Sequence, residues 1–219
     1  MPHIDLNSDI GEGLPEETDL EILRLVTSAN VACGGHAGDL STMRRTAEAC
    51  VRLGVRIGAH PSYPDRENFG RVSRSMPAAE LLLSVIGQVR TLSSISNEAG
   101  GRVEYIKPHG ALYHDRESNP EVSAVITEAS DELGLTLMGT SGPIKEGFID
   151  RRYSRDGTLA PRSSPGAMIT DPAAAADQAL ALAPSVDSLC VHSDTPNSVR
   201  LVAAARDRLI EAGYRISAR

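Results

Sequence analysis

The sequence predicts an α/β fold in which parallel strands carry helices on the outside, with an α/β barrel the natural candidate. Three observations lead there. Short β-branched or apolar runs alternate with longer stretches of helical periodicity through all 219 residues. No composition shift divides the chain, so a single domain over 1–219 suits its length. Polar and ionisable residues recur just past the C-terminal ends of the apolar runs, the face on which barrels of parallel strands collect their catalytic side chains.

The first strand is expected at 4–8. Period-two alternation there sends Asp5, Asn7 and Asp9 to one face and Ile4 and Leu6 to the other. Three polar groups on one face of an apolar segment need partners if they are buried. Further strands are expected at 28–33, 55–59, 103–107, 136–139 and 189–192, with a weaker one at 167–169 and a final one at 214–217. Helices are expected at 40–53, capped by Asp39, and at 78–99, where Leu81, Leu82, Val85, Val89 and Leu92 keep helical spacing. Others are expected at 122–133, 172–182 and 198–212. Gly54, Gly100-Gly101, Gly134 and Gly213 mark helix exits, and 157–165 reads as a loop.

Hydrophobic residues make up 41% of the chain but aromatics only 3%, with no Trp, so Ala, Val, Leu and Ile must build the core. A net charge of -7 argues against nucleic acid as a partner. No run approaches the roughly 18 apolar residues of a membrane span. No basic region precedes a long apolar stretch at the N-terminus, so no signal peptide is expected. Cys33, Cys50 and Cys190 are odd in number and unclustered, which disfavours a disulfide framework and a zinc knuckle, and the reducing cytoplasm is the expected compartment.

Four of the six histidines follow expected strands: His36 after Gly34-Gly35, His60 before Pro61, His109 in Lys107-Pro108-His109-Gly110, and His192 in His192-Ser193-Asp194. Lys107 and His109 are two apart, as are His192 and Asp194, so each pair can share a strand face. Such a recurrence favours a functional cluster, although each histidine taken singly reads as a hydrogen-bonded structural residue. His3 and His114 lack that context and read as structural or surface residues. The three thiols read as small buried groups.

At these residues the chain resembles the LamB/YcsF family. The matching segments are Asp5-Leu6-Asn7-Ser8-Asp9-Ile10-Gly11-Glu12, Ser28 to Asp39, Gly58-Ala59-His60-Pro61, Phe69-Gly70-Arg71, Lys107 to Tyr113, and Cys190 to Pro196. Phe148-Ile149-Asp150-Arg151-Arg152-Tyr153 and Arg162 also look like family positions. Ser8 stands where the family usually has Cys, Gly35 where an aromatic is common, Ser62 where Gly follows His60-Pro61, and Ser193 for Gly. The chain is also shorter than most members between Glu12 and Ser28.

The resemblance implies an irregular seven-stranded (β/α) barrel of the glycoside hydrolase/deacetylase type. It implies opening of the lactam ring of 5-oxo-L-proline to L-glutamate, coupled to ATP hydrolysis, with this chain as the A component of a 5-oxoprolinase and subunits B and C as its partners. The chain has no Gly-x-x-x-x-Gly-Lys-Ser/Thr loop, so ATP is expected to serve the complex, with its direct binding to this chain left open. The expected catalytic residues are Asp9, His60, Lys107, His109, His192 and Asp194, with Asp9, or Asp194 acting through His192, as base. His60 or His109 would protonate the leaving nitrogen, and Lys107 would stabilise negative charge. Asp5, Asn7, Asn30, His36 and Arg151 are the expected substrate-binding residues. No metal is predicted, although Asp9, His36, His60 and His109 include ligand types suited to a divalent ion in a deacetylase-like hydrolase of a C–N bond. A non-catalytic scaffold role in the complex is the remaining alternative.

Overall fold

The structure, a computed structural model, describes residues 1–218. Its strands are β1 (His3–Ile10), β2 (Ser28–Ala32), β3 (Arg56–His60), β4 (Val103–Ile106), β5 (Thr136–Gly139), β6 (Ile144–Phe148), β7 (Ser188–Val191) and β8 (Arg215–Ile216). Its helices are α1 (Glu16–Leu23), α2 (Leu40–Leu53), α3 (Ala78–Glu98), α4 (Gly110–Ser118), α5 (Pro120–Leu133), α6 (Pro172–Leu182) and α7 (Ser198–Glu211). The hydrogen-bonded order is β2-β3-β4-β5-β6-β7-β1-β8, and β1 also pairs with β2. This is the topology of a closed, seven-stranded parallel (β/α) barrel with β8 added beside β1. No helix among the described residues is long and apolar enough to cross a membrane.

Two compact units divide the chain. The first holds Met1–Ser8, Leu14–Ser28 and the chain from Glu146 onward. Here β7 pairs in parallel with β6 and with β1, Asp5 lying opposite Ser188. The alanine-rich face of α6 (Ala175, Ala176, Ala179) is buried, as are Leu201, Val202, Ala205 and Leu209 of α7. Small side chains let packed helices approach closely. Asp171 caps α6 by accepting from the Ala174 N–H, with Pro172 in the first turn.

The second unit holds Asp9–Gly13 and Ala29–Lys145. Strands β3, β4 and β5 pair in parallel, and Asp39 caps α2 through the Thr42 N–H. Gly54 and Gly134 close α2 and α5 in the left-handed conformation. The apolar stripe of α3 (Leu81, Val85, Val89, Leu92) is buried. A bulge between Ile57 and Gly58 shifts the β3–β4 register. A Cβ at Gly58 would lie 2.1 Å from the Tyr105 ring, so only glycine lets that ring cross β3.

Three elements differ from expectation. The sixth strand is β6; the expected strand at 167–169 forms only an antiparallel bridge, Arg151 to Met168. Ile144-Lys145-Glu146-Gly147-Phe148 carries two charges and a glycine, so its pattern hides a strand whose last three residues are buried. Helices α1 and α4 lie in segments without the apolar periodicity on which the helix assignments rest.

Candidate active site

The second unit builds a buried polar cluster at the strand ends. Asp9, near the end of β1, accepts at Oδ1 from Lys107 Nζ at 2.9 Å and from Asn30 Nδ2 at 2.8 Å. Asn30 is itself oriented from the other end, its Oδ1 accepting from Tyr105 Oη at 2.6 Å. Lys107 is only 2% exposed, so its ammonium is a desolvated charge held by a carboxylate.

Beside this pair lie His36, His60, His109 and Glu12, all buried. His60 Nδ1 is 2.7 Å from the Lys107 carbonyl, and His109 Nε2 is 2.9 Å from the Phe69 carbonyl. A carbonyl only accepts, so each of those nitrogens carries the proton. The other nitrogens then turn inward. His60 Nε2 and His109 Nδ1 lie 3.1 Å apart, and the latter is 3.2 Å from Glu12 Oε1. His36 Nε2 is 2.9 Å from the same oxygen, while its Nδ1 has no hydrogen-bond partner. The His36 and His109 rings stack with centroids 3.6 Å apart.

Burial pushes the His36 imidazole down to about 4 and lowers His109 as well. Burial alone would raise Glu12, but His109 and His36 beside it outweigh that and hold it well below the ordinary carboxylate range. Glu12, His36, His60 and His109 offer one ligand atom each, all within 4.8 Å of one another.

The Phe69-Gly70 turn covers the rings. Phe69 has φ 55°, which aims its carbonyl at His109, and its ring meets His36 and His109 edge-on. Gly70, at φ 63°, has His36 Cβ 2.9 Å from where its own Cβ would be. Gly35 adds no empty space: Ser62 Oγ and Gln88 Oε1 lie 2.5 and 2.4 Å from where its Cβ would sit. The Cys33 thiol, pushed up to about 12 by burial, is no nucleophile at neutral pH.

The first unit holds a separate constellation. His192 Nδ1 is 3.0 Å from both oxygens of Asp150, which also accepts from the His192 N–H at 3.2 Å and from Thr195 Oγ1 at 2.5 Å. Phe148 stacks on the imidazole. The carboxylate on His192 Nδ1 is thus Asp150, where the sequence expectation assigned Asp194; Asp194 engages Arg162 at 2.5 Å. Backbone bonds flanking the Arg151–Met168 bridge, Arg152 N–H to Ala167 and Ile169 N–H to Asp150, fix the Asp150 turn. Arg151 donates to the Ala160 carbonyl.

Asp5, expected to bind substrate, receives hydroxyls from Thr27, Ser28 and Ser188. Asn7 is fully buried and donates to Ser188 Oγ. Within the second unit, then, the structure brings together Asp9, Asn30, His36, His60, Lys107 and His109 and adds Glu12, to which the sequence reading gave no role. In the first unit it adds Asp150. His3 bonds Ser217, and His114 packs on Tyr113, as surface residues.

Asp150 also supplies a pH test. Burial raises it, but the His192 charge and the hydrogen bonds of His192 and Thr195 outweigh that and lower it below the ordinary Asp value. A lowered native value stabilises the fold above the unfolded-state value, and that stability drains away as pH falls through the native one. Asp150→Asn should therefore cost about 2–3 kcal/mol at pH 7. The gap to the parent should close below about pH 4. Urea unfolding across pH reads both; a pH-independent gap would remove the ionised carboxylate from the account.

The LamB/YcsF family model matches residues 4–219. The chain is 40% identical over 250 residues to the A component of 5-oxoprolinase from Mycobacterium avium, covering 100% of this chain and 99% of that protein. It is 42% identical to the corresponding 5-oxoprolinase component of Streptomyces avermitilis, covering 98% and 99%. Among solved structures it is similar to a lactam utilization protein from Thermus thermophilus, with TM-score 0.91, 32% identity, and 99% and 100% of the two chains covered. The catalytic domain of a peptidoglycan N-acetylglucosamine deacetylase from Eubacterium rectale shares the fold alone, at TM-score 0.63 and 14% identity, covering 99% and 87%.

Proposed function

The chain belongs to the LamB/YcsF family, and on that premise we propose that it is the ring-opening component of an ATP-dependent 5-oxoprolinase that works with subunits B and C. The observation that carries this reading is the buried Asp9–Lys107 pair beside Glu12 and three imidazoles, a concentration of charge and base far beyond what a scaffold needs. Full-length relatives named as the A component of 5-oxoprolinase support the substrate.

Ring opening adds water across the amide C–N bond, and a lactam is a poor electrophile until its oxygen is activated. Phosphorylation of that oxygen by ATP, with subunits B and C contributing, leaves a carbon that water can attack. Asp9 accepts the proton from that water and returns it to the ring nitrogen as the C–N bond breaks, which leaves an acyl phosphate that a second water hydrolyses to glutamate and inorganic phosphate. Lys107 offsets negative charge on the activated oxygen, and Asn30 fixes the carboxylate. His60 and His109 fit poorly as acids, because their N–H groups are committed to backbone carbonyls. His192, with Nδ1 on Asp150, presents Nε2 as an acceptor and is the candidate second base.

The test is reconstitution with the B and C partners and measurement of glutamate released from 5-oxoproline. Formation that requires ATP and this chain together is expected, and His192→Ala should lower it about a hundredfold or more without loosening assembly. Unchanged turnover when this chain is omitted would refute the assignment.

A further inference from the structure

We propose that Glu12, His36, His60 and His109 form a binding site for one divalent transition-metal ion, with Zn2+ the best match to the donors. The case rests on protons and spacing, and it stands whether or not the ring-opening assignment holds.

His60 and His109 each spend their only neutral-state proton on a backbone carbonyl, so the lone pairs of His60 Nε2 and His109 Nδ1 face each other at 3.1 Å. Glu12 Oε1, another acceptor, lies 3.2 Å from one and 3.6 Å from the other. Three converging lone pairs repel unless a cation sits among them. The charged groups in contact reinforce the demand: Asp9 and Glu12 are anionic, Lys107 is the cation, and the desolvated set is left with excess negative charge. His36 Nε2 lies 2.9 Å from the same oxygen, and its ring, stacked on His109, turns to bring that nitrogen to the ion.

The spacing suits an ion. Bonds of about 2.0–2.2 Å in a tetrahedron set neighbouring donors about 3.3–3.6 Å apart. Four of the six donor separations here run from 2.9 to 3.6 Å, and all six lie within 4.8 Å. Metal-bound histidines usually donate their remote N–H to a carbonyl or carboxylate, which fixes the tautomer, and the Lys107 and Phe69 carbonyls serve His60 and His109 in that way. Imidazole with carboxylate suits Zn2+ and its first-row neighbours. Phe69 and Gly70 exclude water from one side of the rings. An ion here would act as a Lewis acid toward a carbonyl or phosphoryl oxygen.

The test uses the full chain, stripped with a chelator and titrated with Zn2+ by calorimetry, then with Co2+ followed by visible absorption. One equivalent should bind, the Co2+ form should show the strong d–d bands of a four-coordinate centre, and loading should raise the melting temperature. Glu12→Gln and His109→Ala should each weaken binding about a hundredfold or more, while His3→Ala and His114→Ala bind as the parent does. Nitrogen NMR of the unsubstituted chain avoids reliance on ligand variants that misfold. Zn2+ should shift His60 Nε2 and His109 Nδ1 and leave their partner nitrogens protonated. Failure to bind, binding unaltered by Glu12→Gln, or imidazole resonances that ignore Zn2+ and report only a shared proton would each overturn the proposal.

Discussion

Asp9→Asn is expected to lower glutamate formation by the reconstituted complex about a thousandfold or more, the scale of a lost general base with its oriented charge. Asparagine can still accept from Asn30, so local geometry is largely kept. It cannot take a proton from water, and it leaves Lys107 as a buried ammonium without its carboxylate. Removing one member of a buried pair costs about 3–5 kcal/mol. The sequence alone suggests a variant with an undisturbed fold; the burial of Lys107 predicts a lowered melting temperature instead. The double variant Asp9→Asn/Lys107→Met separates the effects. It should recover most of the lost stability and remain inactive. Wild-type turnover in Asp9→Asn would take Asp9 out of the mechanism, and a double variant no more stable than the single one would undo the buried-pair argument.

That contrast marks what residue pattern can and cannot reveal. The recurrence of polar and ionisable side chains at strand ends brought Asp9, Asn30, His36, His60, Lys107 and His109 to one unit, because parallel strands align their C-terminal ends whatever their separation in sequence. Strand β5 and helices α2 and α6 were legible to the residue, α2 through its Asp39 cap. Glu12 was not. It follows Gly11 at φ 80° and precedes Gly13 at φ 95°, and a turn of that shape aims a side chain in a direction no periodicity encodes. Asp150 stood in a recognised segment but received no role, because β6 before it lacks the alternation of a strand. The carbonyls that set the tautomers of His60 and His109 are backbone groups, invisible in any residue pattern. For Asp5, alternation gave the face but said nothing of the three hydroxyls that meet it there.

Gly58→Ala is expected to be the most disruptive single methyl added to the second unit. The new Cβ would lie 2.1 and 2.2 Å from Tyr105 Cζ and Cε2, inside the ring's own volume, and Arg56 packs over that ring at 4.8 Å. The ring must move or the β3–β4 register must slip, at a cost of about 3 kcal/mol or more. Either movement withdraws Tyr105 Oη from Asn30, and Asn30 orients Asp9, so activity should fall with stability. Two further variants resolve the chain of cause. Tyr105→Phe keeps the ring but drops the hydroxyl; it should lose about 1–3 kcal/mol and lower kcat while changing KM little. Gly58→Ala/Tyr105→Leu relieves the overlap and should regain stability relative to Gly58→Ala, yet stay poorly active because Asn30 still lacks that donor. Full activity in the double variant would mean that the hydroxyl does not govern Asp9, and a Gly58→Ala protein as stable as the parent would mean that the ring does not cross β3 where the structure places it.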